Sequence, residues 1–369
     1  MFLKSLHLLN FKNLRETEIA FSNGVNGFVG KNGSGKTNLL DAIYFQSMCK
    51  SYLNAADRQN VRFDEPYFSL NGYWQKNKKE FAVNIAFKVG SKKTIRINKK
   101  EYERMSDHIG KFPVVFISPY DGDLIVEGSE MRRKWMDGIL SQIDKEYLQQ
   151  IQYYSKVLEQ RNALLKNMFE HRLFDRESIE IWDVQLVQYG VQIHEKRKRF
   201  LEEFIPVFNR FYNQIGDHHE IVDIEYRSQL NNGDFTELLK EIERKDAATQ
   251  YTNVGIHKDD LVFTIKGHPI KKFGSQGQQK SFLIALRIAQ YDWLKQHSGQ
   301  KPILLLDDIF DKLDNERVAK LLELVTTDYF GQVMVTDTDP RRMLELFNTL
   351  QVEKKLFHVE NGEVSLFNV

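Results

Sequence analysis

The sequence predicts an α/β fold interrupted by a helical insert, and three observations carry that expectation. Short alternating or wholly apolar runs of strand type occupy both ends of the 369-residue chain. A glycine-rich turn stands between a strand candidate and a helix candidate at residues 30–37. Between about residues 132 and 211 the apolar spacing lengthens to three, four and seven, the period of a helix face. The length suits two domains, or one domain with a large insertion. With 41% hydrophobic and 28% charged residues and only 7 prolines, the composition is that of a folded chain and not a disordered or fibrous one.

The elements follow in order. Leu3, Leu6, Leu8, Phe11, Ile19, Phe21, Val25 and Phe28 fall in short runs broken by Asn23-Gly24 and Asn26-Gly27, which reads as strands joined by tight turns. A helix is expected from Thr37 to about Met48. Strand patterns return at residues 68–70, 81–87, 94–97 and 114–117. Trp135, Ile139, Ile143, Tyr147, Ile151, Tyr154, Leu158 and Leu165 then form one face of a long helix, and Ile179, Trp182, Leu186, Tyr189, Ile193, Phe200, Phe204, Val207 and Phe211 form a second, with a kink expected at Pro206. These two helices make the insert. Strands are expected again at 221–226 and 261–265, then at Ile303–Leu306 and 333–336, short apolar runs suited to a sheet buried on both faces, with a helix through Val318, Leu321, Leu322 and Leu324 between them.

No apolar run approaches the ~18 residues of a membrane span. The N-terminal segment lacks a leader pattern, and Cys49 is the one cysteine, which excludes a disulfide framework and reads as a small buried hydrophobe. A cytoplasmic protein without membrane association is expected.

Gly30-Lys31-Asn32-Gly33-Ser34-Gly35-Lys36-Thr37 matches G-x-x-x-x-G-K-[ST] between a strand and a helix. Glycines at this spacing let backbone N–H groups close around a phosphate at the helix N-terminus. Lys36 would reach the β- and γ-phosphates, and Thr37 would ligate Mg²⁺. The other half of such a site is an apolar strand ending in an acid, and Ile303-Leu304-Leu305-Leu306-Asp307-Asp308 is the candidate. Asp307 is expected at the metal, and Asp308 is expected to orient or deprotonate the attacking water. A third element, Ser275-Gln276-Gly277-Gln278, opens another helix as a second anion cradle. One chain already has its phosphate loop, so this cradle makes sense if it covers the γ-phosphate held by a second subunit.

With these elements in this order, the chain resembles the ABC-type ATPase heads of the SMC class, and more closely the RecF family of bacterial recombination-repair proteins. The resemblance rests on residues 8–14 and 30–43, on Ser118-Pro119-Tyr120-Asp121 with Arg132-Arg133-Lys134-Trp135-Met136-Asp137, on residues 255–261 and 274–280, and on Leu305 through Asp314. It implies an ABC-type (SMC-like) P-loop ATPase head with a mixed N-terminal β-sheet and an inserted helical hairpin subdomain. The head would comprise residues 1–120 and 250–369, and the arm 121–249. By the same resemblance, Gly30 through Asn38 bind ATP, Asp307 joins Thr37 at Mg²⁺, Ser275, Gln276, Gly277 and Gln278 act in trans, Asp314 lies at a dimer seam, and Thr336 takes the place of a switch histidine. The resemblance further implies that Asp308 and Lys36 would carry a slow, DNA-stimulated hydrolysis of ATP. The implied function is recombination-repair mediation at single-strand gaps and stalled forks, with an ATP-dependent homodimer clamping DNA and assisting RecO and RecR in loading RecA. A nucleotide-dependent DNA scaffold and a defence-system ABC head are the alternatives.

The charge pattern suits a polyanion. Residues 1–119 hold 19 Lys+Arg against 10 Asp+Glu, a net +9, although the whole chain carries a formal +1. Lys76, Lys78, Lys79, Lys92 and Lys93 are the DNA-contact candidates, chosen by charge alone.

Overall fold

Alternation near the N-terminus becomes a six-stranded antiparallel sheet in the order β2-β1-β4-β5-β6-β7. Its strands are β1 (Phe2–Phe11), β2 (Leu14–Ala20), β4 (Tyr67–Lys76), β5 (Lys79–Lys88), β6 (Thr94–Ile97) and β7 (Lys100–Glu101). The structure, a computed structural model, describes residues 1–54, 56–216, 220–309, 320 and 329–367.

The wholly apolar runs go elsewhere. A second sheet has the order β15-β14-β3-β13-β12-β8, with β3 (Val25–Val29), β8 (Val114–Ile117), β12 (Ile303–Leu306), β13 (Val333–Asp337), β14 (Lys354–Glu360) and β15 (Glu363–Leu366). It is mixed. The five strands from β14 to β8 are mutually parallel, and β15 closes one edge antiparallel to β14. Every residue of β3, β8, β12 and β13 is buried, which is why these segments do not alternate.

Helix α1 (Lys36–Met48) packs between the sheets. Leu39, Leu40, Ile43 and Phe45 share one core with Phe11, Phe68 and Leu70 of the antiparallel sheet and with Phe116, Leu305 and Met334 of the parallel strands. Phe11, Phe45 and Phe68 meet edge to face with centroids 5.3–5.9 Å apart. This packing fixes the start of α1 at the carboxyl ends of β3 and β12. Cys49 is buried and its thiol is pushed up to about 12 by burial, so it is inert packing.

The chain divides into two compact units: Met1–Gly122 with Phe211–His218 and Lys280–Val369, and Asp123–Arg210 with His219–Gln279. The sequence expectation closed the insert at residue 249, whereas the second unit continues through Gln279. The physical reason is strand pairing: β10 (Asp260–Ile265) lies antiparallel to β9 (Val222–Arg227), and β11 (His268–Pro269) pairs with β10. The insert is therefore a helical hairpin with its own small sheet.

Its remaining elements are α2 (Asp123–Val126), α3 (Ser129–Ile143), α4 (Lys145–His171), α5 (Arg176–Ile215), α6 (Phe235–Glu241), α7 (Glu243–Thr249) and α8 (Ile270–Phe273), followed by the start of α9 (Gln276–Ser298). The first expected long helix is in fact α3 and α4. Asp144 leaves the helical region (φ −110°, ψ 104°) and caps α4, accepting the Tyr147 N–H at 2.9 Å. α5 runs 40 residues with Pro206 inside it. The helix expected through residues 318–324 lies outside the described residues except for Lys320.

Candidate functional site

β3 delivers the chain into the glycine loop. A Cβ on Gly30 would stand 2.1 Å from the Val359 carbonyl oxygen of β14, so the strand can leave the sheet here only without a side chain. Gly33 and Gly35 have φ of 79° and 117°, the left-handed region that folds the loop back toward α1. Asn13, in the β1–β2 turn, donates its amide to the Ser34 carbonyl at 3.2 Å and accepts from Asn38 Nδ2 at 2.7 Å. The Gly362 N–H donates to that same carbonyl at 3.0 Å. Lys36 Nζ donates to the carbonyls of Gly30 (2.8 Å) and Lys31 (3.2 Å), and the buried Ser34 hydroxyl has no partner among the described residues.

β12 and β13 bring the acids to this loop. The Thr37 hydroxyl lies 3.0 and 2.9 Å from the two carboxylate oxygens of Asp307, joining residues 270 apart in sequence. The Thr336 hydroxyl, at the end of β13, donates to Asp307 Oδ1 at 2.9 Å and accepts the Asp308 N–H at 2.9 Å. Thr336 thus pins both acids. Asp308 is held at φ 43°, a conformation uncommon outside glycine, and its buried Oδ1 has no partner among the described residues. Burial pushes the Asp307 carboxyl up to about 6, against the bonds from Thr336 and Thr37 that favour its ionised form.

This donor set fits a divalent cation. Thr37 and Asp307 present hard oxygens at one point, and the Asp307 carboxyl is raised by burial because Lys36 and the two threonine hydroxyls compensate its charge only in part. The loop fits a phosphate, because its glycines clear the side-chain volume and the Ser34 hydroxyl stands unsatisfied beside the helix start.

The expected trans segment lies in the second compact unit, except that α9 continues beyond it. The Ser275 N–H donates to Gln278 Oε1 at 2.7 Å and the Gln278 N–H donates to Ser275 Oγ at 3.2 Å, a reciprocal cap at the start of α9. Gln278 Nε2 also donates to Glu220. Gln278 is therefore engaged within its own chain, while Ser275 and Gln276 are exposed. The S-x-x-Q spacing was the sequence signal for this cap. Asp314 lies outside the described residues.

The five DNA-candidate lysines are not brought together. Lys78 and Lys79 are exposed at the β4–β5 turn and Lys92 is exposed in the β5–β6 loop, so the two groups sit at opposite ends of a ten-residue strand, about 30 Å apart. Lys93 is a correction. Its ammonium is paired with Asp57 at 2.9 Å, lies 4.8 Å from the Phe45 ring centroid, and leaves the side chain 8% exposed. Lys76 is likewise occupied, donating to the Lys111 carbonyl at 2.7 Å. Charge counted along the sequence could not separate free cations from packed ones.

Sequence reasoning missed Arg287, whose guanidinium binds Asp121 at 2.5 and 3.0 Å and the Tyr52 hydroxyl at 2.8 Å, all buried or nearly so. It ties α9 to the segment following α1 and to the turn after β8. An arginine within the apolar run Leu286-Arg287-Ile288 was the available signal.

Comparison with known proteins identifies the family and the fold. The profile of the RecF/RecN/SMC N terminal domain family matches residues 2–364. The DNA replication and repair protein RecF of Flavobacterium johnsoniae is 50% identical over 359 residues, 97% of this chain and 100% of that one. Its counterpart in Phocaeicola vulgatus is 45% identical over 367 residues, covering 99% and 98%. Among solved structures, the recombination mediator protein RecF with ATP, of the RecFOR pathway, superposes with a TM-score of 0.89 at 30% identity, covering 100% of this chain and 98% of that one. An Smc head bound to the C-winged helix domain of ScpA, 16% identical with a TM-score of 0.57, shares the fold. The fold is that of an SMC-like ABC ATPase head, as expected from the sequence.

Proposed function

Because the chain belongs to the RecF/RecN/SMC N terminal domain family, we propose that it is an ATP-dependent DNA-binding protein of replication and recombination repair. Two copies close on two ATP molecules, each held by the phosphate loop of one copy and by Ser275, Gln276 and Gly277 of the other. The dimer clamps DNA at single-strand gaps and stalled forks, and hydrolysis releases it. In this role it assists RecO and RecR in loading RecA, in the cytoplasm. The observation that supports this reading best is the meeting of Thr37 with Asp307 beside a loop shaped for phosphate.

The chemistry follows from the residues. Backbone N–H groups of the loop and the first turn of α1 bind phosphate oxygens with the positive end of the helix. Lys36 exchanges the carbonyls of Gly30 and Lys31 for phosphate oxygens. Thr37 and Asp307 would hold Mg²⁺, which would neutralise charge developing on the phosphates. Asp308, with one unpartnered oxygen, orients the attacking water and accepts its proton. Thr336 keeps that carboxylate in place through the Asp308 N–H. The products are ADP and phosphate.

Anisotropy of a labelled gapped duplex, titrated with protein at fixed salt with and without ATP and Mg²⁺, tests the proposal. Binding should require ATP and be lost in Lys36→Ala. Binding indifferent to nucleotide would remove the clamp.

A further inference from the structure

One end of the antiparallel sheet gathers three segments: the β1–β2 turn, residues 56–67, and the β5–β6 loop. Backbone bonds of 2.9 Å join them, from Lys12 N–H to Asn60, Arg62 N–H to Asn10, and Val89 N–H to Pro66. The Lys93–Asp57 ion pair adds a fourth tie. At the tip, the Glu65 N–H donates to the Arg62 carbonyl at 3.1 Å, closing a tight turn with Phe63 and Asp64 at its corners. Asp64 takes φ 62°, and Asn10 Nδ2 holds the Glu65 carboxylate at 3.1 Å.

This well-tied turn displays an apolar ring to water. Phe63 is 94% exposed, the most exposed large hydrophobic side chain among the described residues. Tyr67, 39% exposed, follows four residues later opposite Lys88 in the β4–β5 ladder. At this end of the sheet Arg15, Arg58, Lys88 and Lys92 are exposed and Arg62 is half-buried, and none of the five forms an ion pair among the described residues. The nearby acids are mostly engaged: Asp57 by Lys93, Glu65 by Asn10, and Glu16 by His7 at 3.3 Å. Asp64 has no hydrogen-bond or ion-pair partner among the described residues.

We propose that Phe63 is a stacking platform for an unpaired base of single-stranded DNA, with Arg58, Arg62, Lys88 and Lys92 taking the flanking phosphates. A π-face held out by a fixed turn stacks on a base without an ordering cost, and unpaired cations supply the sequence-independent attraction to the backbone. A second copy of this chain is the less suitable occupant, because a symmetric contact through this patch would bring its cations against themselves. The inference rests on the DNA-binding reading and adds to it where an unpaired base is recognised.

The test compares a gapped duplex with a blunt duplex by anisotropy, using the full chain with ATP and Mg²⁺ at fixed salt. Phe63→Ala should weaken gapped-DNA binding about 5- to 100-fold and leave blunt-duplex binding within about twofold. Phe63→Trp should restore it, with indole emission quenched by gapped but not blunt DNA. Equal affinity of Phe63→Ala and wild type for gapped DNA would overturn the proposal. So would loss of ATP-dependent dimers in light scattering with the DNA preference intact, which would assign the ring to a second copy. Failure of the wild type to bind either DNA would overturn the DNA reading itself, and this proposal with it.

Discussion

Two buried polar clusters, one in each compact unit, show opposite electrostatic arrangements. In the second unit, Arg197 donates to Asp137 at 2.9 and 3.2 Å, to Asp259 at 2.8 Å, and to the Ile256 carbonyl at 2.8 Å. Arg132 forks onto Asp260 at 2.8 and 3.1 Å, and Arg133 binds the Asp259 carbonyl at 2.6 Å. Three arginines face three aspartates. His257, pushed down to about 4 by burial, stays neutral between the Tyr154 hydroxyl and the Thr252 carbonyl. In the first unit, Asp307 and Asp308 stand side by side with two threonine hydroxyls and, among the described residues, no bonded cation, while Lys36 is turned to the loop carbonyls. The matched cluster is scaffold. On the function proposed above, the mismatched one holds negative charge that a bound metal nucleotide would relieve. Two motifs prominent in the sequence, Arg132–Asp137 and Gly255–Leu261, thus belong to the arm's internal lock.

Substitutions in the two clusters should separate these roles. Asp308→Asn should cut ATP turnover by on the order of 10²–10⁴-fold while ATP affinity stays within a few-fold, and normal turnover would remove its assigned role. Arg197→Met, which strands the buried Asp259 and the half-buried Asp137, should cost about 3–5 kcal/mol, read as a lower urea midpoint; an unchanged midpoint would mean that the lock contributes little.

Asp307→Asn should have the opposite sign. Burial pushes the folded carboxyl up to about 6 from its ordinary 3.8, so the folded state binds the extra proton between those values. Stability from this group is greatest below about pH 4 and falls as pH rises through 6. At pH 7 the nucleotide-free variant should therefore be more stable than wild type by on the order of 1–3 kcal/mol, with the gap closing toward pH 4. Equal stability at pH 7 would show that the site acid carries no strain.

Much of the site was legible because its parts are local demands of the backbone. Gly30, Gly33 and Gly35 are required by a close carbonyl and two positive φ angles, and Asp307 ends an apolar strand buried on both faces. Asp144 shows the limit: the apolar stripe runs past it unbroken, and only the cap it makes with Tyr147 splits the helix.

The sequence by itself determined the fold class, the phosphate loop and the acidic strand, since a period, a turn residue or a charged strand end leaves its mark within a dozen positions. Tertiary structure decided which of five lysines are free, that Thr336 holds both acids, that the insert carries its own sheet through Gln279, and that Phe63 faces water. Each of those depends on which strand pairs with which and in what register, a relation between distant residues that no single stretch of sequence contains.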